Sequence, residues 1–300
     1  MKSLLTLWRF SRPHTIIGSV VSIITLYIAA CNHQHLSAHL PLLLMAIVTG
    51  ICCNIFIVGI NQIEDVKIDI INKPYLPIAS GELSIKNANR IIIISMIISL
   101  SIAAYLSIYL FGIIALSLLI GTAYSLPPLY LKKHHLPAAL AITTVRGVLV
   151  NVGGFLVFNW LINHSTVMPE NIRILTIFII SFSIAISWFK DLPDVAGDAK
   201  YNIRTFAILY SPKIALIAGN TLVIAAYSYS IFRQYIHFKT NDSPSSDNQI
   251  LLFGHIILLV LFLLNTLFLK LSEQKSIKKF YMRFWIFFFA EYLLYLIAYI

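Results

Sequence analysis

A chain of 300 residues with 59% hydrophobic and only 11% charged residues cannot cover a water-facing surface, because soluble domains carry roughly 25% charged residues. This excludes a soluble domain, a disordered chain and a disulfide framework, and leaves a polytopic membrane protein. The net charge of +10 comes from 22 Lys+Arg against 12 Asp+Glu. These bases are scattered between apolar segments, so they read as loops facing anionic lipid rather than as a nucleic-acid surface.

Apolar runs long enough to cross a bilayer fall at 14–31, 40–60, 91–110, 112–126, 138–161, 173–189, 212–236, 250–270 and 283–300. The expected fold is therefore all-α, with nine transmembrane helices in a single domain, 1–300. Phe111-Gly112 separates the third and fourth spans. A β-barrel would need apolar and polar residues to alternate, and they do not. The first run lacks a small-residue cleavage site and reads as a retained helix, with no transit segment before it. Cys31, Cys52 and Cys53 have no metal-binding spacing and read as small buried hydrophobes.

Nine spans place 18 of the 22 bases on one side, with the N-terminus and the loops after the even-numbered spans. Only Arg173, Arg233 and Lys239 fall on the other side, and Arg146 lies inside the fifth span. The positive-inside rule then makes the N-terminus cytoplasmic, or stromal in a plastid. The polar loop 239–249 is external and carries no assigned role.

Two short acidic clusters follow even-numbered spans on the basic side. After the second span, Asn61, Asp65 and Asp69 are spaced i, i+4, i+8, one stripe of a helix. After the sixth, Asp191, Asp194 and Asp198 are spaced i, i+3, i+7, again one face, with Pro193 and Gly197 bending or loosening the helix end. Carboxylates at a helix C-terminus oppose its dipole and repel one another, so they need an offsetting cation. Lysines could serve. Oxygen-rich clusters also suit Mg²⁺, which bridges carboxylates and substrate phosphates. Basic residues follow each cluster, Lys67 and Lys73 after the first and Lys200 and Arg204 after the second, and carboxylates with nearby Lys and Arg are the parts needed to bind a Mg²⁺-diphosphate. A cation or phosphate transporter would also use acidic residues at helix breaks, but near the bilayer midplane rather than at one face.

The stretches N-Q-I-E-D-V-K-I-D (61–69) and D-L-P-D-V-A-G-D (191–198) resemble the paired motifs of UbiA-type intramembrane prenyltransferases. Gln62 stands where that family commonly has Asp. The segments R-P-H-T (12–15), N-K-P-Y-L-P-I-A-S-G-E (72–82), T-V-R-G-V-L-V-N (144–151) and K-D-L-P-D-V-A-G-D (190–198) resemble the homogentisate prenyltransferase branch. In Y-S-L-P-P-L-Y-L-K-K (124–133), Tyr130 takes the place of a basic residue.

The resemblance implies Mg²⁺-dependent transfer of a prenyl group from a prenyl diphosphate to homogentisate with decarboxylation, as in tocopherol and plastoquinone formation. Other branches use 4-hydroxybenzoate, dihydroxynaphthoate or chlorophyllide. It also implies metal binding by Asp65, Asp69, Asp191, Asp194 and Asp198, with Asn61 as a neutral ligand. Arg12, Lys73, Lys132, Arg146, Lys190 and Arg204 are candidate contacts to the diphosphate or the acceptor. Tyr124 offers an aromatic face to an allylic cation. His14 either binds the acceptor carboxylate or marks the first helix end. Arg146 and Glu291 are intramembrane charges that need partners. Such an enzyme takes an isoprenoid from the bilayer and a polar acceptor from the cytoplasm, which implies helices around a central cavity; it belongs in a bacterial inner or thylakoid-type membrane, with lipid around it and no nucleic-acid or obligate protein partner.

Overall fold

The computed structural model describes residues 2–32, 36–240 and 246–300. Residues 241–245, the middle of the polar loop 239–249, lie outside the described residues. Among the described residues, nine helices are long and apolar enough to cross a membrane, and the chain is an integral membrane protein. A short helix, α1 (Lys2–Phe10), precedes the first span, α2 (Pro13–Cys31). The second span, α3 (Leu40–Glu64), is followed by a seven-residue helix, α4 (Val66–Asn72). The third and fourth spans are α5 (Ile85–Leu106) and α6 (Ile108–Ser125).

The break between α5 and α6 falls at Ser107 rather than at Phe111-Gly112. Ser107 is extended at φ −169°, ψ 141°, and its hydroxyl accepts a bond from the Tyr109 amide, capping α6. Gly112 sits inside α6 because a single glycine costs a helix only about 1 kcal/mol, whereas a serine cap satisfies an orphan amide.

The fifth span is composite. α7 (His135–Thr143) runs into a π-helical segment (Thr144–Gly153) and then into α8 (Gly154–Asn163). The sixth span is α9 (Glu170–Phe189), followed by two short helices, α10 (Val195–Lys200) and α11 (Phe206–Leu209). The last three spans are α12 (Pro212–Thr240), α13 (Ser246–Leu267) and α14 (Gln274–Tyr299). α14 begins nine residues before the apolar run at 283, because Lys275, Lys278 and Lys279 are good helix formers that extend the helix ahead of its apolar stretch.

Two apolar clusters hold the helices together. One joins α2, α8, α9, α12, α13 and α14 around Phe182, Phe284 and Tyr292. The Phe182 and Phe284 rings stack 4.0 Å apart. The other joins α3, α5 and α6 around Phe10, Phe56 and Ile92. Outside these clusters large side chains such as Ile94, Leu119, Ile217 and Ile257 point outward, as helices facing lipid require.

Between the clusters lies a cavity of about 1110 Å³, walled by α2, α3, α6, the composite fifth span and α14. One end is covered by the segments after α3 and α9, where α4 packs on α10.

Candidate active site

α3 ends at Glu64, yet the backbone barely departs from helical pairing: Asp65 N donates to Asn61 O at 2.9 Å, and Asp69 N donates to Asp65 O at 2.7 Å. The i, i+4, i+8 stripe therefore survives the junction with α4. Asn61, Asp65 and Asp69 all line the cavity. After α9 the chain makes one turn through Asp191–Asp194 before α10 begins, and Asp191, Asp194 and Asp198 line the same cavity. Two segments far apart in the chain thus bring five carboxylates to one wall.

Each of four carboxylates meets a cation. Lys132 Nζ donates to Asp65 Oδ1 at 2.5 Å, and Lys190 Nζ to Asp191 Oδ1 at 2.6 Å. Lys73, from the first segment, pairs with Asp194 of the second. Arg12 Nη2 lies 3.9 Å from Asp69 Oδ2 and donates to Asn61 Oδ1 at 3.4 Å. Arg12 reaches this position with a left-handed backbone, φ 53°, between α1 and Pro13. That conformation is strained for a non-glycine residue and clusters at functional sites.

The fifth carboxylate, Asp198, accepts from Asn72 Nδ2 at 3.4 Å and has no cation partner among the described residues. Burial, and then the Asp191 and Asp194 carboxylates, push its pKa up from 3.8 to about 7. Burial also raises Asp69, with Arg12 and Lys73 opposing, and raises Asp191, with Lys190 opposing. Lys132 is lowered by burial and partly restored by Asp65.

The oxygen-donor set fits Mg²⁺, a hard cation held by carboxylates and carbonyl oxygens. Asp69 Oδ2 is buried without a hydrogen-bond partner, a site that a cation would satisfy. Among the described residues no three His, Cys, Asp or Glu side chains are gathered tightly enough to hold a metal by themselves. This agrees with the habit of Mg²⁺, which uses one or two carboxylates together with substrate phosphates rather than an all-protein cage.

The remaining candidates divide by position. Tyr124, near the end of α6, lines the cavity with Lys190 Nζ 6.0 Å from its ring centroid. His14 lines it too, edge-on to Trp285 at 4.9 Å, so it is part of the cavity wall as well as of the first helix turn. Arg146 lines it from the π-helical segment, 4.7 Å from Trp285 and 5.0 Å from Phe288. Arg146 makes no ion pair with a motif aspartate; its charge rests on two ring faces.

Arg204 is not brought to the cavity. Its amide donates to Lys133 O at 2.8 Å and its carbonyl accepts from His135 N at 3.2 Å. This backbone bridge leaves the residue exposed, beside a separate recess with Lys133 and His134. Glu291 is also elsewhere: it is fully buried in α14, with Oε1 3.0 Å from His255 Nε2 of α13. Gln62 faces away from the cavity and donates to Phe10 O at 2.6 Å, joining α3 to α1. Its departure from the acidic pattern therefore leaves the carboxylate wall intact.

Two further residues line the cavity, Asn72 and Trp285, and a third, Asn151, is buried behind its wall. Asn72 accepts from Gly197 N at 3.1 Å and donates to Asp194 O at 3.2 Å, coupling the two motifs. Asn151, in the π-helical segment, donates to Thr176 Oγ1 at 2.7 Å and accepts from Tyr292 OH at 2.9 Å. Trp285 supports both Arg146 and His14. Asn72 has a weak signal in its place four residues after Ile68 on the buried side of α4, and Asn151 closes the 144–151 stretch that carries the resemblance; Trp285 has none.

Residues 21–288 match the UbiA prenyltransferase family. A homogentisate phytyltransferase from Synechocystis sp. is 37% identical over 303 residues, which cover 99% of this chain and 96% of that protein. Homogentisate phytyltransferase 1 from Arabidopsis thaliana is 35% identical over 301 residues, covering 97% of this chain and 75% of that one. A UbiA homologue from Archaeoglobus fulgidus, solved bound to GPP and Mg²⁺, superposes with a TM-score of 0.64 at 15% identity, covering 96% of this chain and 99% of that chain.

Proposed function

The chain belongs to the UbiA prenyltransferase family, and from that premise we propose that it transfers a prenyl group from a prenyl diphosphate to homogentisate, with decarboxylation and with Mg²⁺ as cofactor. The observation that carries the reading is the convergence of Asp65, Asp69, Asp191, Asp194 and Asp198, each beside a cation or amide, on one end of a large intramembrane cavity. The phytyl- and solanesyltransferases among its relatives support the acceptor.

Asn61 and the five aspartates would hold Mg²⁺, which when bound neutralises the departing diphosphate. Lys73, Lys132, Lys190 and Arg12 each give up a carboxylate partner to meet diphosphate oxygens, so no charge is left bare in either state. The C1–O bond breaks with its electron pair going to the diphosphate. A ring carbon of the acceptor forms the new bond to C1 and then loses its proton. The carboxylate leaves as CO₂, and a proton takes its place on the side-chain carbon.

Tyr124 offers its ring face to the cationic C1. The apolar walls, including Ile113, Ile120 and Phe289, accept the isoprenoid chain and keep water from the cation. The carboxylate end of the cavity is the end of the bundle that bears most of the bases. We place that end, and the N-terminus, in the cytoplasm or stroma, the chain forming one domain in a bacterial inner or thylakoid-type membrane.

The test is product analysis by mass spectrometry with homogentisate, 4-hydroxybenzoate and dihydroxynaphthoate against prenyl diphosphates of several lengths. A decarboxylated prenylquinol formed from homogentisate in Mg²⁺, and none in EDTA, is the expected result. Product formed only from another acceptor would reject the homogentisate reading.

A further inference from the structure

Arg146 lies apart from the carboxylate layer. The neighbouring Gly147 abuts Ile180: a Cβ there would lie 2.7 Å from Ile180 Cγ1. Ile180 is ten residues before Lys190 on α9, which is about 15 Å along the helix axis. The backbone at Arg146 is thus set well away from Lys190 along α9, while its side chain opens to the same cavity.

Its guanidinium has no carboxylate partner among the described residues. Instead it sits near the Trp285 and Phe288 rings, at 4.7 and 5.0 Å. Ring contacts hold the planar group in place and leave its N–H edge free for an anion. His14 stands edge-on to Trp285 in the same wall. A cation in an apolar span is costly, and these rings offset only part of that cost.

The position follows from the backbone. The π-helical turn Thr144–Gly153 interrupts the fifth span where Arg146 emerges, and such segments are frequent at functional sites. Its far end is tied down by Asn151, which bonds both Thr176 of α9 and Tyr292 of α14.

We propose that Arg146 is the carboxylate-binding residue for the aromatic acceptor, a subsite separate from the diphosphate site. This rests on the reading that the acceptor is an aromatic acid of the homogentisate class. The ring then lies between the carboxylate layer, where C1 of the donor is held, and the guanidinium, so the bond-forming carbon faces C1. The planar fork of Arg146 makes a bidentate contact that also distinguishes an acid from a neutral quinol. Arg146 is a specificity residue for the acceptor, and the donor does not use it.

The test is equilibrium binding to the purified full-length protein in Mg²⁺ and a non-reacting thiolo-diphosphate analogue of the donor. The probes are homogentisate, its methyl ester and plain hydroquinone. The wild-type protein binds the acid at least about tenfold more tightly than the ester. Arg146→Leu and Arg146→Gln erase that preference, Arg146→Lys keeps part of it, and all bind the donor analogue within about twofold of wild type.

A wild-type protein that binds ester and acid equally overturns the proposal without any variant, so it stays testable even if a variant fails to fold. A wild type that prefers the acid, with an Arg146→Leu variant that keeps this preference, overturns the Arg146 assignment alone. So does an Arg146→Leu variant that loses donor binding while still preferring the acid. A wild type that binds the donor analogue with Mg²⁺ but no homogentisate overturns the acceptor reading together with this one.

Discussion

Gly197 donates its amide to Asn72 Oδ1 at 3.1 Å, and a Cβ at position 197 would lie 2.3 Å from that oxygen. The glycine is therefore what lets α10 approach α4, and it joins the two acidic motifs through one carboxamide. Asn72 also donates to Asp194 O and to Asp198 Oδ1, so it has no other position to retreat to.

Gly197→Ala pushes Asn72 off these partners. Overpacking of this kind costs about 1–3 kcal/mol. The thermal midpoint of the purified protein falls, and the Mg²⁺ concentration for half-maximal activity rises. Asn72→Ala makes room, so the double variant is no worse than Asn72→Ala alone. A double variant with additive losses would show that the close approach is not what couples the motifs.

Asp65→Asn and Asp194→Asn remove one charge from each motif and leave Lys132 and Lys73 without their partners. If the carboxylates hold the metal, the loss is several kcal/mol of charge stabilisation, about 10²–10⁴-fold in turnover. Steady-state assays beside size-exclusion profiles separate this from unfolding. Full activity in EDTA would contradict the metal-dependent scheme.

The pKa of Asp198, raised from 3.8 to about 7, gives a pH dependence of definite sign. Between about pH 4 and about pH 7 the folded, metal-free protein holds a proton that the unfolded chain has released, so its stability falls as pH rises through that window. Mg²⁺ competes with that proton. Its apparent affinity therefore rises from pH 6 to pH 7 and levels off above, changing by up to about tenfold per unit below the pKa. Mg²⁺-induced thermal shifts at pH 6, 7 and 8 measure it, and Asp198→Asn flattens the curve. A shift of equal size at all three pH values would remove Asp198 from the metal set.

Glu291 and His255 form a pair that is fully shielded from the surface and does not itself line the cavity. Removing one partner strands the other in an apolar bundle at a cost of about 1–3 kcal/mol, or more if it is charged. Glu291→Leu accordingly lowers the thermal midpoint without changing the KM of either substrate, and His255→Leu added to it recovers part of the loss. A substrate-specific KM change in Glu291→Leu would place the pair in the catalytic machinery instead.

The orientation can be read with two single cysteines in a background lacking Cys31, Cys52 and Cys53. Lys86 and Thr166 are both exposed, at opposite ends of the helices. Lys86→Cys reacts with an impermeant maleimide only from the cytoplasmic face, and Thr166→Cys only from the other. The reverse pattern would invert the topology.

Nine long apolar runs are visible in the sequence because lipid leaves no choice: each backbone group must bond within its own helix, so composition alone marks the spans. The i+4 and i+3/i+7 spacings of the aspartates were legible for the same reason, since helix geometry is local. What no local pattern holds is which side chains meet across the cavity. Lys73 pairs with Asp194 rather than with its own neighbour Asp69, and Lys132 with Asp65, because α4 packs on α10 and the turn before α7 folds over the end of α3. Arg204 has the right charge and the right place in the chain, yet its backbone bridge to the 133–135 segment leaves it outside. Ser107 rather than Gly112 ends a helix, and Gly197 serves a contact 125 residues away. Helical periodicity and burial follow from each residue and its near neighbours; pairing across the bundle depends on how whole helices dock, and that only the tertiary structure decides.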